Sequence, residues 1–265
     1  MNAMPKIDLT PWIAERKAQS GKDLLLMTHI VLGYPDFDTS LALIRTMAEA
    51  GVDLIEMQIP FSEPIADGPI ILHANQQALE NGASVAECLA VAKTAAESFN
   101  IPFLLMSYYN ILFKYGVRSF CDQIADIGIT GTIVPDLPFE EADEYLQSMA
   151  ENQLNPIFIY SPTSTVARLK KIDQYAKGFI YCVARRGVTG ANTDFSANLF
   201  DYINRCRSAT DLPLALGFGI KDADDLALLR HKVDIAVIGT QTIRAFEQGG
   251  IQQVKAYLTD LQSSN

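Results

Sequence analysis

"SLALIRTMAEAGVDLIEMQI" (residues 40–59) holds a helix pattern and a strand pattern back to back. In 40–51 the leucines and isoleucine recur at helical spacing, and the segment closes on Gly51, a C-terminal stop signal. "DLIEMQI" (53–59) then runs nearly without polar interruption, as a strand buried on both faces of a parallel sheet does. The same alternation extends in both directions. "LLLMTHIVLG" (24–33) precedes it, and further strand candidates lie at 102–108, 131–136, 155–160, 178–184, 212–219 and 235–239. Helical patterns lie near 84–100, 117–127, 139–152, 164–176, 195–207, 222–231 and 248–262. Eight strand–helix units in unbroken succession fit an α/β chain closed into a single (β/α)8 TIM barrel, with 1–265 as one domain. "IDLTPWIAERKAQ" (7–19) reads as an extra N-terminal helix capping the barrel floor, with Thr10 as N-cap and Pro11 at the first helical position.

Composition narrows the function. A formal charge of −10 argues against a nucleic-acid or anionic-membrane surface, while leaving room for a phosphate ester held by local backbone donors. Cys88, Cys121, Cys182 and Cys206 form no C-x-x-C pair and read as buried free thiols of a reducing compartment. The first residues lack the apolar core of a signal peptide, and no apolar run reaches the ~18 residues of a membrane span. The expectation is a soluble cytoplasmic protein.

Barrels of this kind carry their chemistry at the C-terminal ends of the strands. Glu56 shares a strand face with Leu54 and Gln58, so it points into the barrel. A carboxylate there is costly unless used or bonded, and burial raises its pKa; it is either an acid/base group or a structural acid tied to a neighbour. Asp67, in "ADGP", is either a second functional acid or a turn former. "LGFGI", "VIGTQTIRAF" and "RRGVTGAN" place glycines at three neighbouring strand ends, where backbone N–H groups and a helix starting after Gly239-Thr240 can meet an anion. Arg185 and Arg186 lie in the last of these loops, as solvated side chains or as part of a lid. His29, His73 and His231 show no metal spacing, so no metal is expected. Ser62 lacks a nucleophile-elbow frame, and Gly217-x-Gly219 lacks the rest of a dinucleotide fingerprint.

"LGYPD…S" (32–40), "AGVDLIEMQIPFSEPIADGP" (50–69), "LMSYYN" (105–110), "VPDLPFEE" (134–141), "SPTS" (161–164), "RRGVTG" (185–190), "GFGI" (217–220) and "IGT" (238–240) occur in order. Together they resemble the tryptophan synthase alpha chain over essentially the whole length. The resemblance implies a TIM-barrel lyase that cleaves indole-3-glycerol phosphate to indole and glyceraldehyde 3-phosphate in tryptophan biosynthesis. It implies no cofactor in this chain, and a partner beta chain bearing pyridoxal phosphate in an α2β2 heterotetramer. It further implies Glu56 as general acid/base, Asp67 facing the indole N–H, and Tyr181 beside the glutamate. Tyr108, Thr189, Arg185, His29 and Gln58 match the substrate pocket and lid, and Gly190, Gly217, Phe218, Gly219, Gly239 and Thr240 the phosphate cradle.

The chain departs from the family's usual residues in the ring pocket and the partner-facing loop. Gln58 stands where glycine is usual, His29 where an aromatic is common, Val31 for Thr, Glu63 for Asp and Thr240 for Ser; Ala184 and Arg186 also differ. The expectation is that Gln58 and His29 pair across the barrel mouth and reshape the pocket. A stand-alone divergent paralogue cleaving indole-3-glycerol phosphate or a related aryl-glycerol phosphate, and a non-catalytic activator of a beta chain, are the alternatives; a lyase assay with and without a beta chain separates them.

Overall fold

The computed structural model describes residues 6–184, 195–217 and 219–264. Eight parallel strands, β1 (Leu25–Val31), β2 (Leu54–Gln58), β3 (Phe103–Met106), β4 (Gly131–Ile133), β5 (Asn155–Tyr160), β6 (Ile180–Val183), β7 (Leu214–Gly217) and β8 (Ile235–Ile238), follow one another round a closed barrel. β8 pairs back onto β1, with Met27 opposite Val237. The register sets His29 opposite Glu56, and Glu56 opposite Leu104.

Alternation along the strands divides their side chains between two layers. Leu25, Met27, Leu54, Leu104, Ile157 and Val237 fill the barrel interior. Leu26, Ile55, Leu105, Ile180, Leu216 and Ile238 face outward into the shell between sheet and helices. Every residue of β1 and β2 is buried, which is why those segments read as continuous apolar runs.

The expected N-terminal helix is present as α1 (Leu9–Ser20), but its cap differs. Asp8 is the N-cap and accepts from the Thr10 N–H at 3.1 Å. Thr10 lies inside the first turn, and its hydroxyl reaches across to the Gly178 carbonyl at 3.1 Å. Both residues favour caps; the tertiary partner for Thr10 leaves the role to Asp8. Leu9 and Ile13 plug the barrel floor. Asn155 of β5 holds the entry to α1 by donating to the Ile7 carbonyl at 2.9 Å and accepting from Leu9 N–H at 3.3 Å. Buried Asp53 receives Arg16 and Lys22, each at 2.9 Å, and the Leu26 N–H at 3.0 Å.

The outer helices α2 (Phe37–Glu49), α4 (Val85–Ser98), α6 (Val117–Asp126), α7 (Asp143–Glu151), α8 (Val166–Asp173), α9 (Phe195–Arg207) and α10 (Ala223–Leu229) occupy the expected segments. α2 starts earlier than the periodicity predicts because Asp36 caps it, accepting from Thr39 N–H at 2.7 Å. Two helices were not expected, α3 (Pro69–Glu80) and α5 (Tyr109–Tyr115). The last helix, α11 (Thr240–Ser263), begins where the glycine signal placed a helix start and bends at Gly249 and Gly250, which carry non-helical backbone. The sequence pattern had put a separate helix near 248–262.

Among the described residues, no helix is long and apolar enough to cross a membrane. The four cysteines are free and buried.

Candidate active site

β2 delivers two inward polar side chains at its C-terminal end. Glu56 is 2% exposed and Gln58 fully buried. Burying them in an otherwise apolar barrel is costly unless each finds partners, and the neighbouring elements supply most of these.

Gln58 donates its amide to Asp67 Oδ2 at 2.7 Å and lies 3.3 Å from Asn75 Oδ1. Tyr108, at the end of β3, donates its hydroxyl to the same Asp67 oxygen at 3.2 Å and accepts the Ala66 N–H at 3.1 Å. Phe61 stacks on the Tyr108 ring with centroids 4.9 Å apart. Asn75 fixes the start of the loop by accepting the Phe61 N–H at 2.9 Å, while its own amide donates to the Ile71 carbonyl at 2.8 Å. The acidic, proline-bearing loop after β2 is therefore anchored from three directions, with Asp67 turned into the barrel mouth. Burial pushes the Asp67 carboxyl above its usual range; His29, Gln58 and Tyr108 oppose that shift without cancelling it.

His29 of β1 is also buried, with Nδ1 3.5 Å from Glu56 Oε2, an ionic contact short of hydrogen-bond geometry. Burial disfavours its charge, but Glu56, Asp67 and Gln58 together outweigh burial and raise its pKa above 6.5. The expected pairing of Gln58 with His29 is thus redistributed. The Gln58 amide nitrogen serves Asp67 and Asn75, because both present acceptors, and His29 turns to Glu56.

Tyr181 of β6 reaches Glu56 from across the barrel. Burial, then the charges of Glu56 and Asp67, push its hydroxyl well above the usual phenol range. Gly217 on β7 makes room for it: a Cβ there would lie 3.2 Å from the Tyr181 hydroxyl and ring edge. Glu56, Asp67 and Tyr181, singled out separately in the sequence, converge on one mouth together with Tyr108, His29 and Gln58.

Gly219 has a left-handed backbone, φ +82°, and open space where a side chain would go. Gly239 caps the start of α11 and Thr240 is its first residue; Thr242 of the same turn donates to the His29 carbonyl at 3.1 Å, tying the helix start to β1. Gly190, Phe218, Thr189, Arg185 and Arg186 lie outside the described residues. Asn75 and Phe61 were missed by the sequence reading. Asn75 sits on the unexpected helix α3, and an Asn that closes a loop on another element leaves no spacing signal. Among the described residues, no cluster of three or more His, Cys, Asp or Glu side chains could hold a metal ion.

The tryptophan synthase alpha chain family model matches residues 14–264. This chain belongs to that family. The tryptophan synthase alpha chain of Syntrophotalea carbinolica is 56% identical, over 93% of this chain and 97% of the relative. That of Desulforapulum autotrophicum is 54% identical, over 96% and 99%. Among solved structures, the aminoacrylate-bound tryptophan synthase from M. tuberculosis superimposes with a TM-score of 0.88 at 26% identity, covering 97% of this chain and 99% of that one. The tryptophan synthase complex from Pyrococcus furiosus gives 0.82 at 27% identity, over 90% and 98%. As a tryptophan synthase alpha chain, the protein is a carbon–carbon lyase that cleaves indole-3-glycerol phosphate and partners with a beta chain.

Proposed function

We propose that Glu56, Asp67 and Tyr181 carry the cleavage. The observation that supports this most directly is the meeting of two carboxylates, from β2 and its loop, with a phenol from β6 at the C-terminal mouth of the barrel. Glu56 gives a proton to indole C3 and takes one from the adjoining glycerol hydroxyl. The C–C bond then breaks, its electron pair stays with the ring, and the hydroxyl carbon leaves as the aldehyde. Asp67 accepts the ring N–H and so favours the tautomer protonated at C3. Among the described residues both its donors go to Oδ2, which leaves Oδ1 to meet that N–H. Tyr181 positions Glu56, Tyr108 positions Asp67, and His29 and Gln58 line the ring pocket.

In this reading the phosphate lies against Gly217, Gly219, Gly239 and Thr240, where backbone donors at the ends of β7 and β8 and the start of α11 are free of bulky side chains. Gly190 and Phe218 complete the cradle, and Thr189 and Arg185 the lid, by resemblance alone. The beta chain docks on the mouth-side surface beside the Asp67 loop. Ile65 is 77% and Phe113 69% exposed there, and an open apolar groove of about 290 Å3 runs along Ile59, Phe61, Leu79, Val85 and Ile111. We assign an α2β2 assembly, one domain over 1–265 and a cytoplasmic location on the same footing; four unpaired buried thiols suit a reducing compartment.

The test is release of glyceraldehyde 3-phosphate from indole-3-glycerol phosphate by the purified chain, with and without its beta chain, in wild type and Glu56→Gln. Loss of ~10²–10⁴ in rate on removing a positioned acid/base supports the assignment. Activity retained in Glu56→Gln overturns it.

A further inference from the structure

We propose that His29 is a positioning residue of the lyase reaction: as an imidazolium it faces Glu56 with one ring nitrogen and the Gln58 carbonyl with the other, joining the two carboxylates through a chain of four side chains, Glu56–His29–Gln58–Asp67. The proposal rests on the roles assigned above to Glu56 and Asp67, and adds to them a cation held between the two acids.

Three observations carry it. First, Nδ1 of His29 lies 3.5 Å from Glu56 Oε2, and both side chains are almost wholly buried, so water screens the contact little. Second, the orientation of the Gln58 amide is fixed by chemistry. Its nitrogen faces two acceptors, Asp67 Oδ2 at 2.7 Å and Asn75 Oδ1 at 3.3 Å, so its oxygen must point the other way. Third, that oxygen, Gln58 Oε1, is buried without a hydrogen-bond partner, and so is His29 Nε2. A buried acceptor and a buried ring nitrogen left over on adjoining side chains are complementary when Nε2 carries a proton, and Gln58 does favour the charged ring. A ring protonated on both nitrogens offers Nδ1–H to Glu56 Oε2, which is itself without a hydrogen-bond partner, and Nε2–H as a donor for the Gln58 oxygen.

Among the described residues, the charged groups facing His29 are Glu56 from β2 and Asp67 from the following loop. β8 contributes apolar Val237 to the interior, and α11 touches the His29 backbone through Thr242. His29 is therefore a cation between two acids. It stabilises Glu56 as a carboxylate after the proton has gone to indole C3, and holds it oriented to take the hydroxyl proton. The proton count over the cycle is unchanged, because the ring keeps both its protons.

The test has an arm that does not depend on turnover. The chain has three histidines, and His73 and His231 are exposed, so the buried His29 ring can be followed in 15N-histidine-labelled full-length protein. In wild type its titration midpoint is expected above 6.5, and Glu56→Gln lowers it. The kinetic arm is the pH profile of kcat/KM. An opposite charge within ~4–6 Å favours an ionised carboxylate by ~1–3 pH units, so the acidic limb moves up by about that much in His29→Phe, and in His29→Gln should the first variant fold poorly. An unchanged His29 titration in Glu56→Gln, with that variant inactive, overturns this proposal alone. A His29 variant whose profile is merely scaled down, with limbs unmoved, reduces His29 to packing and also overturns it. An active Glu56→Gln overturns both the acid/base assignment and this proposal.

Discussion

Gln58 donates to Asp67 Oδ2 at 2.7 Å. This bond spans nine residues of chain and ties the last residue of β2 to the far end of the loop that follows it. Because Tyr108, just after β3, donates to the same oxygen, Asp67 has one oxygen anchored and one available among the described residues. A loop acid, free to swing in water, becomes a fixed acceptor at the barrel mouth.

Asp67→Asn separates anchoring from chemistry. The Asn carbonyl oxygen can still accept from Gln58 and Tyr108, so the loop stays in place. The anionic acceptor for the ring N–H is lost, and turnover falls by about 10²-fold or more, as on removing one preorganised electrostatic group. Calorimetric binding of glycerol phosphate is expected to remain near wild type, since the phosphate cradle proposed above is built from β7, β8 and the start of α11 rather than from Asp67. Equal loss of rate and binding would make Asp67 a structural acid.

Much of this geometry was legible in the letters. Parallel strands buried on both faces are apolar runs, so all eight appeared, overshot by a residue or two where β1 (Leu25–Val31) was read as 24–33. Glu56 stood out because an acid inside such a run demands a reason. The helix α3 was missed although Pro69 at its start and Asn81-Gly82 after its end are boundary signals; residues 70–83 were assigned to no element. α5 has seven residues, too few for periodicity to register. The partners of Gln58 were not legible, because Asn75 and Asp67 reach it only once α3 and the loop are folded.

Stability depends on pH through the same groups. His29 has a folded pKa raised above 6.5, so its charged form contributes stability that is full below 6.5 and lost as pH rises through the raised value. Asp67 is likewise raised, from 3.8, so its contribution is present at acid pH and lost above that value. The stability advantage of wild type over His29→Phe therefore shrinks as pH rises beyond 6.5. Urea unfolding of both proteins across that range checks it; an advantage that grows with pH has the wrong sign.

At the opposite end of the barrel, Asp53→Ala tests the floor. The carboxylate is buried under Arg16 and Lys22 and also accepts the Leu26 N–H. Removing it unpairs α1 from the start of β2 and leaves a backbone donor without its partner, at a cost of about 3 kcal/mol. Lyase kcat at a temperature where the variant is folded stays near wild type, because Asp53 is bonded to Arg16 of α1 and to Lys22 at the floor, while the Glu56 side-chain contacts run to His29 and Tyr181. A denaturation midpoint equal to wild type would show the clamp to be unimportant.

Gln58→Gly restores the residue usual in the family, and here it is expected to weaken the enzyme. The amide donates to the half-buried Asp67 and lies 3.3 Å from the buried Asn75 Oδ1, so deleting it takes one donor from each, while Asn75 keeps the Phe61 N–H. Losing a hydrogen bond to a charged acceptor such as Asp67 costs ~1.5–3 kcal/mol. Glycine also adds backbone freedom at the end of β2. Asp67 then keeps only the Tyr108 donor among the described residues, and its loop loosens. The expected outcome is a lower unfolding midpoint together with a fall in kcat that exceeds any change in KM. In the double variant with His29→Phe, the ring that relied on Gln58 is gone and an aromatic refills the space, so part of the loss is recovered. A double-variant cycle in kcat and in stability measures that coupling. A Gln58→Gly single variant several-fold faster than wild type, or two substitutions whose effects simply add, would show that Gln58 and His29 act independently.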